Sequence, residues 1–276
     1  MPPLLRIAVV CIALSVAAHA ATPARTLAPE DASVPRIDDY AAASAAAREA
    51  NAMLLVAVDP QGGPCLLDRP ELAERFASSG TQWVFCRPDA STAAALAADP
   101  GLVEMRSGAG VFVVDHAHDA WRGRIVSVLP QTPGTYYRFE PHHLDELASL
   151  PEGSLTQRSM ILAVRLHPEG PRSAEGFCDP GLSAEAAAHS AHQASIRRQG
   201  HHGWETRAQR LGGAAAEVCA QSWENQDMMD SCVDCVASWR QSSGHWRAVS
   251  GSHAAYGYDI RRGGDGIWYA TGIFRD

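Results

Sequence analysis

The C-terminal end of the chain carries the pattern that most restricts its fold. Two alternating runs stand there, Ala255-Tyr-Gly-Tyr-Asp-Ile260 and Gly266-Ile-Trp-Tyr-Ala-Thr-Gly-Ile-Phe274. Residues 261–265 between them, Arg-Arg-Gly-Gly-Asp, supply the glycines that a tight turn requires. The sequence therefore predicts a terminal β-hairpin, and because helical patterns precede it, we expect α+β layers in the second half of the chain.

A histidine follows a serine-glycine turn between two tryptophans just before this hairpin, in the segment 238–246. We predict a helix with Cys232, Cys235 and Trp239 on one face, ended by the Ser-Ser-Gly run, so that His245 projects from the turn beyond it. A histidine so placed can titrate, bind a metal ion or transfer a proton. The alternative is a structural histidine that hydrogen-bonds to the backbone.

The N-terminus has the features of a secretory signal peptide. One positive charge, Arg6, precedes a short apolar run at 7–18 and the small-residue site Ala18-His19-Ala20. We expect cleavage after Ala20 and a linker at 21–35. No later stretch approaches the roughly 20 apolar residues of a spanning helix, so the sequence predicts an exported protein, periplasmic or secreted, that does not span a membrane.

The charge balance argues against nucleic acid and anionic membranes as partners. Once Arg6 is removed with the leader, 22 basic residues face 31 acidic ones, and every basic residue is arginine. A net negative chain repels polyanions.

Six cysteines remain after the leader, and an even count in an oxidising compartment favours structural disulfides. If bridges stay within each half of the chain, Cys65 pairs with Cys86 and the other four pair among themselves. Cys232 and Cys235 lie close enough on a helix to bridge each other, with strain, and pairing of each with a more distant cysteine is equally open. The disulfide candidates are Cys65, Cys86, Cys178, Cys219, Cys232 and Cys235.

The first half of the mature chain alternates predicted strands and helices. Apolar runs predict strands at 53–58, 82–86 and 110–115, and helical patterns occupy 38–51, 70–78 and 91–98. This order indicates an α/β domain with a partly parallel sheet. A helix at 141–150 closes the domain, and 151–174 is expected to be a connector in which 159–166 forms one more strand.

Residues 36–150 resemble a thioredoxin-like domain. The resemblance depends on the leading helix, the strand before Cys65 and the strand-turn element at 110–128. Where that family has two cysteines separated by two residues, this chain has Cys65-Leu-Leu-Asp68. The resemblance therefore implies a redox-inactive scaffold, and a thiol-disulfide oxidoreductase that uses Cys65 or the Cys232/Cys235 pair is an alternative.

Two helices are predicted at the start of the second half. The first runs from Ser183 to Arg198, with Ser183 as N-cap and Gly200 as terminator. His189 and His192 share one face of this helix because they are three residues apart. The second covers 214–221 and carries Glu217 and Cys219.

The segment from about 183 to 274 resembles the CAP superfamily, the fold of cysteine-rich secretory and pathogenesis-related proteins. The matching features are a histidine-bearing helix, a His-Gly loop leading to Arg207, Ala216-Glu217-Val218 where the family has Gly-Glu-Asn, the pattern Trp239-x-x-Ser-x-Gly-His245, and the closing hairpin. The resemblance implies an α-β-α sandwich domain at 175–276 that contains a cleft with two histidines and one or two glutamates.

Transferred to this chain, the family pattern gives His202, Glu217 and His245 as ligand-binding or metal residues, with His201 as an alternative one residue out of phase. The family's second glutamate falls where this chain has Arg240 and Gln241. Two imidazoles and a carboxylate suit weak binding of Zn²⁺. We expect an exported protein that binds a metal ion, or a ligand or protein of the cell envelope; the alternative is a metal-assisted envelope hydrolase with Glu217 as base.

Overall fold

The helices and strands of the first half follow the predicted order. The computed structural model describes residues 34–59, 61, 67–98, 102, 108–212 and 214–276; the predicted leader at 1–20, most of the linker and Cys65 lie outside them. The elements are β1 (Arg36–Ile37), α1 (Tyr40–Glu49), β2 (Met53–Val58), α2 (Pro70–Ala77), β3 (Trp83–Cys86), α3 (Ala90–Ala97), β4 (Gly110–Asp115), β5 (Arg124–Pro130), α4 (His143–Leu147) and α5 (Leu155–Arg165).

The second half contains β6 (Phe177–Cys178), α6 (Pro180–Ile196), α7 (Trp204–Arg210), β7 (Ala215–Gln221), α8 (Met228–Gln241), α9 (Ser243–Ser250), β8 (Ala255–Arg262) and β9 (Trp268–Arg275). Among the described helices none is long and apolar enough to cross a bilayer.

The first sheet has the strand order β1-β3-β2-β4-β5. The pairs β1/β3 and β3/β2 are parallel, whereas β4 and β5 are antiparallel to their neighbours. All six residues of β2 are buried, as expected for a central strand that helices cover on both faces. The prediction of an α/β arrangement with a partly parallel sheet is therefore confirmed.

The second sheet has the order β6-β8-β9-β7 and is built around the predicted hairpin. Strands β8 and β9 pair antiparallel from Ala255–Arg275 to Arg262–Trp268. Helix α6 lies directly on β8, and a Cβ added at Gly257 would stand 2.3 Å from the backbone of Leu182. Glycine is therefore required at this position because the backbones of strand and helix approach so closely.

Two predicted elements have the wrong type. Residues 215–221 form a strand rather than a helix, because their backbone groups pair along the whole of β9. Residues 159–166, predicted as a strand, belong to helix α5 and to the turn after it. Ser154 and Gln157 form a capping box at its start, each side chain accepting from the other residue's backbone. A short apolar run does not by itself distinguish a buried helix from a strand.

Helix α5 links the two sheets, although its sequence was expected to be a connector. Its Arg158 is 2% exposed and donates to Ser127 Oγ of β5 at 3.0 Å and to the Pro151 carbonyl at 2.7 Å. Thr156, on the same helix, donates to Asp259 of β8 at 2.6 Å. The described residues from 34 to 276 accordingly form one compact unit with a hydrophobic cluster that extends across both sheets.

Candidate metal centre

A pair of imidazoles lies at the surface end of the second sheet. His201 stands in the loop between α6 and α7, after Arg197 has ended α6 with a left-handed conformation (φ 52°). His245 lies in the first turn of α9 rather than in an open turn, because α9 begins directly after Ser242. The Nε2 atoms of the two histidines are 3.3 Å apart.

Behind His201 lies a fully buried carboxylate, that of Glu217 on β7. Its Oε1 is 3.0 Å from Nδ1 of His201, and its Oε2 accepts from Nε and Nη2 of Arg207 at 3.1 and 2.5 Å. The side chain of Glu217 is 0% exposed and that of Arg207 only 10%. Burial alone would raise the pKa of Glu217, but the hydrogen bonds from His201 and Arg207 hold it below its ordinary value.

These contacts determine which nitrogen of His201 carries its proton. An ionised carboxylate only accepts, so Nδ1 of His201 donates to Glu217 and Nε2 keeps its lone pair on the side of His245. Burial, and secondarily the charge of His201, lower the pKa of His245. The imidazole of His245 is therefore favoured in its neutral form, which is the form that binds metal ions.

The separation of the two nitrogens fits a shared ion. Two nitrogens bound to one tetrahedral zinc at about 2.0–2.1 Å lie about 3.3 Å apart, the distance between His201 and His245. The side chain of His201 is 43% exposed, so the remaining positions of such an ion open to solvent. Glu217 is hydrogen-bonded to the other ring nitrogen of His201, Nδ1. Carboxylates that orient metal-binding histidines commonly make this contact.

The structure brings together two of the three residues predicted for the site. Glu217 and His245 flank His201, the alternative, whereas His202 points elsewhere: its carbonyl accepts from Arg207 at 2.6 Å and its ring lies 6.4 Å from that of His189. The assignment of His202 beside His245 is thus corrected by one residue. Glu217 supports His201 from behind instead of facing the shared space.

Arg240 stands at the position to which the predicted CAP resemblance assigns a second glutamate, and its guanidinium contacts Glu169 and Trp246. Arg240 donates to Glu169 at 2.5 Å, and its guanidinium lies 5.3 Å from the ring centre of Trp246. No carboxylate therefore comes from this position.

Cys219 belongs to the surroundings of Glu217 and was missed as a member of the site. Its Sγ is 3.7 Å from Glu217 Oε1 and 3.8 Å from His201 Nδ1. Residues 217 and 219 point to the same face of the sheet because they are two residues apart on a strand, where successive side chains alternate between the two faces. The prediction of a helix at 214–221 concealed this relationship. His189 approaches the same carboxylate, with Nε2 3.8 Å from Glu217 Oε1.

Free thiols are found among the described residues at Cys86, Cys178, Cys219 and Cys235, so the pairing of Cys178 or Cys219 with a cysteine of α8 is not formed. Cys65, the expected partner of Cys86, lies outside the described residues. Cys178 instead lies 3.7 Å from Ser183 Oγ, and Cys219 faces Glu217.

Burial makes several thiols poor nucleophiles, Cys219 among them. Burial raises the pKa of Cys86 to about 12 and that of Cys235 well above its ordinary value. On α8, Cys232 and Cys235 are both 0% exposed. A thiol that is protonated and inaccessible exchanges slowly.

Besides the imidazole pair, two groups of three side chains among the described residues have ligand atoms close enough together to hold a metal ion: Glu140, His142 and His143, and the buried set His189, Glu217 and Cys219. The fold and these side chains together define a mixed α/β protein with buried His/Glu/Cys groups of metal-binding type. No family model, curated protein or solved structure matches this chain.

Proposed function

We propose that this chain is an exported protein whose CAP-like second half binds a divalent metal ion, zinc, through His201 and His245, and through that ion a ligand of the cell envelope. The observation that carries the proposal is the 3.3 Å separation of the two Nε2 atoms, together with the carboxylate that fixes the tautomer of His201. Imidazole is a preferred ligand of zinc.

The arrangement of elements supports a CAP-like domain. Helix α6 lies against β8 on one face of the second sheet, whereas α5 and α8 cover the other, which gives an α-β-α sandwich. A histidine after helix α6, a glutamate on strand β7 and a histidine before the hairpin converge on one site.

The first half fits a redox-inactive thioredoxin-like scaffold. It contains the elements on which the resemblance depends: the leading helix α1, the strand β2 before Cys65, and β4 with the turn that leads to β5. At the position of the second cysteine, Asp68 forms an ion pair with Arg36 at 2.6 Å and lies 3.8 Å from Arg87. A charged pair at this position serves structure rather than thiol exchange.

The geometry supports binding over hydrolysis. A general base needs a free lone pair directed at a water molecule, yet both oxygens of Glu217 already accept from His201 and Arg207. Two histidines leave several positions of an ion to water or to an anionic ligand, so an envelope carboxylate or phosphate is the class of ligand that this centre would take.

Zinc titration of the untagged, metal-free mature protein by calorimetry tests the proposal. We expect His201→Ala and His245→Ala each to remove one equivalent of bound zinc. His118→Ala is the matched control, because His118 lies in the turn after β4, bonded to Asp115, and this variant should bind zinc as the wild type does. Zinc stoichiometry and affinity in His245→Ala equal to those of the wild type would overturn the proposal.

A further inference from the structure

A second group of histidines lies on the other side of the loop that carries His201. His189 and His192 stand three residues apart on α6, and His202 reaches them from the loop. The ring centres are 6.2 Å apart for His189 and His192, 5.9 Å for His192 and His202, and 6.4 Å for His189 and His202. The three rings thus form a nearly equilateral triangle.

This triangle borders a cavity of its own. The cavity has a volume of about 390 Å³, and its lining includes the three histidines with Gly203, Thr206 and Arg207, but neither His201 nor His245. An ion bound there would therefore be separate from one held by the imidazole pair.

Two nitrogens of the triangle are buried without a hydrogen-bond partner among the residues that the structure describes: Nδ1 of His189 and Nε2 of His202. His189 is 2% exposed, and its Nε2 is 2.8 Å from the Gly200 carbonyl. A carbonyl only accepts, so Nε2 carries the proton and Nδ1 holds a lone pair. Buried polar atoms without partners are rare in folded proteins and commonly mark a site for water or an ion.

The charges around the cavity favour a cation over an anion. Arg207 is already paired with Glu217, and Arg210 donates to both carboxylate oxygens of Glu185, a further residue of the lining. A neutral nitrogen lone pair attracts a metal ion and repels an anion.

The three imidazole rings would have to move only slightly closer together to bind one ion. Three imidazoles on one ion at about 2.0–2.1 Å place their ring centres roughly 5–5.5 Å apart, and the observed triangle is within about 1 Å of that size. His192 is exposed, so its side chain is free to rotate toward the two buried nitrogens.

We propose that His189, His192 and His202 form a second site for a divalent transition-metal ion of the kind that imidazole prefers, such as Zn²⁺, Co²⁺ or Ni²⁺. The proposal stands independently of the centre at His201 and His245, since the two sites share no ligand.

Cobalt binding in a background without the first centre tests this second site. We use the untagged mature chain carrying His201→Ala and His245→Ala, and follow the visible absorption of Co²⁺ and the stoichiometry by equilibrium dialysis. We expect one equivalent to bind to this double variant. Adding His192→Ala should weaken binding at least tenfold, and because His192 is exposed this change leaves the fold intact.

Adding His202→Ala should have the same effect, whereas adding His118→Ala should have none. The proposal is overturned if the double variant binds no cobalt, or if it binds cobalt equally well with and without His192. Zinc-induced shifts of the ring resonances of His192 in the wild-type protein, seen by nitrogen-detected imidazole spectra, provide a check that involves no loss of side chains.

Discussion

Glu217 accepts a hydrogen bond from Nδ1 of His201 at 3.0 Å, and this contact directs the unprotonated nitrogen of the imidazole to the surface. The carboxylate is wholly buried whereas the imidazole is partly exposed. The interior of the protein therefore determines the chemistry of a nitrogen that faces solvent, which is the relationship between an orienting carboxylate and a metal-binding histidine.

Replacing Glu217 with glutamine should weaken zinc binding without removing it. Glutamine keeps the shape of the side chain but loses the charge that fixes the tautomer of His201, and loss of such a partner costs roughly 10–100-fold in metal affinity. Competition with a chromophoric chelator measures this change. Glu71→Gln, which alters an exposed pair with Arg69 on the first half of the chain, should leave the affinity unchanged, and a Glu217→Gln protein with wild-type affinity would contradict the orienting role.

Replacing Arg207 with methionine should lower the free energy of unfolding by about 3–5 kcal/mol, because it leaves the buried charge of Glu217 without its main partner. Urea unfolding followed by tryptophan fluorescence measures the loss. Arg210→Ala is the control: its pair with Glu185 is solvent-exposed on the arginine side, and such pairs contribute about 0–1 kcal/mol. Equal losses in the two variants would show that the buried pair of Arg207 and Glu217 contributes no more to the free energy of unfolding than an exposed pair does.

Much of the fold was predictable because its signals are local. The six-residue apolar run of β2 and the glycine turn between β8 and β9 each specify their element within a few residues. The strand at 215–221 was not predictable in this way. Alanine at three of its positions favours helix, and only pairing with β9, some fifty residues later, overrides that preference.

The candidate site was predictable in its residue types but not in its register. His201 and His202 are neighbours in a loop without periodicity, so nothing local indicates which ring faces Glu217. The choice is made by Gly203, whose left-handed backbone (φ 68°) turns the chain into α7, and by Arg207, which holds the carbonyl of His202. Both effects depend on three-dimensional contacts.

Asp230 ties the two halves of the chain together, and its loss should be costly. Its Oδ1 accepts from the backbone amides of Tyr136 and Tyr137 at 2.6 and 2.8 Å. Asp230→Ala should lower the free energy of unfolding by about 2–4 kcal/mol, since two charge-assisted hydrogen bonds are lost. Asp230→Asn keeps an accepting oxygen and should retain most of that stability. Thermal unfolding followed by circular dichroism compares the two variants. An alanine variant as stable as the asparagine variant would show that the hydrogen bonds to Asp230 do not stabilise the protein.

Gly134 provides an independent check of the same contact. A Cβ at this position would lie 2.2 Å from Oδ1 of Asp230, so Gly134→Ala should displace the carboxylate and destabilise the protein to a similar degree. Because both changes act on one contact, the double variant Gly134→Ala/Asp230→Ala should lose less than the sum of the two single losses.

The stability of the protein should fall as pH rises from about 4 to about 6, in part because of Asp234. Burial raises the pKa of this carboxyl from 3.8 to about 6. Between those values the folded protein holds a proton that the unfolded chain has released, so folding is favoured at the lower pH and the advantage is lost as pH passes the folded pKa.

Asp234→Asn removes the ionisation and should flatten this decline by about 1–2 kcal/mol. A shift of about two pKa units would correspond to about 3 kcal/mol if the carboxyl were fully desolvated. Urea unfolding at pH 4, 5, 6 and 7 measures the slope, with Asp119→Asn, whose side chain is 94% exposed, as the control. Burial raises the pKa of Asp259 to about 6 as well, so part of the decline should persist in Asp234→Asn, and a slope identical to that of the wild type would show that Asp234 stays ionised throughout this range.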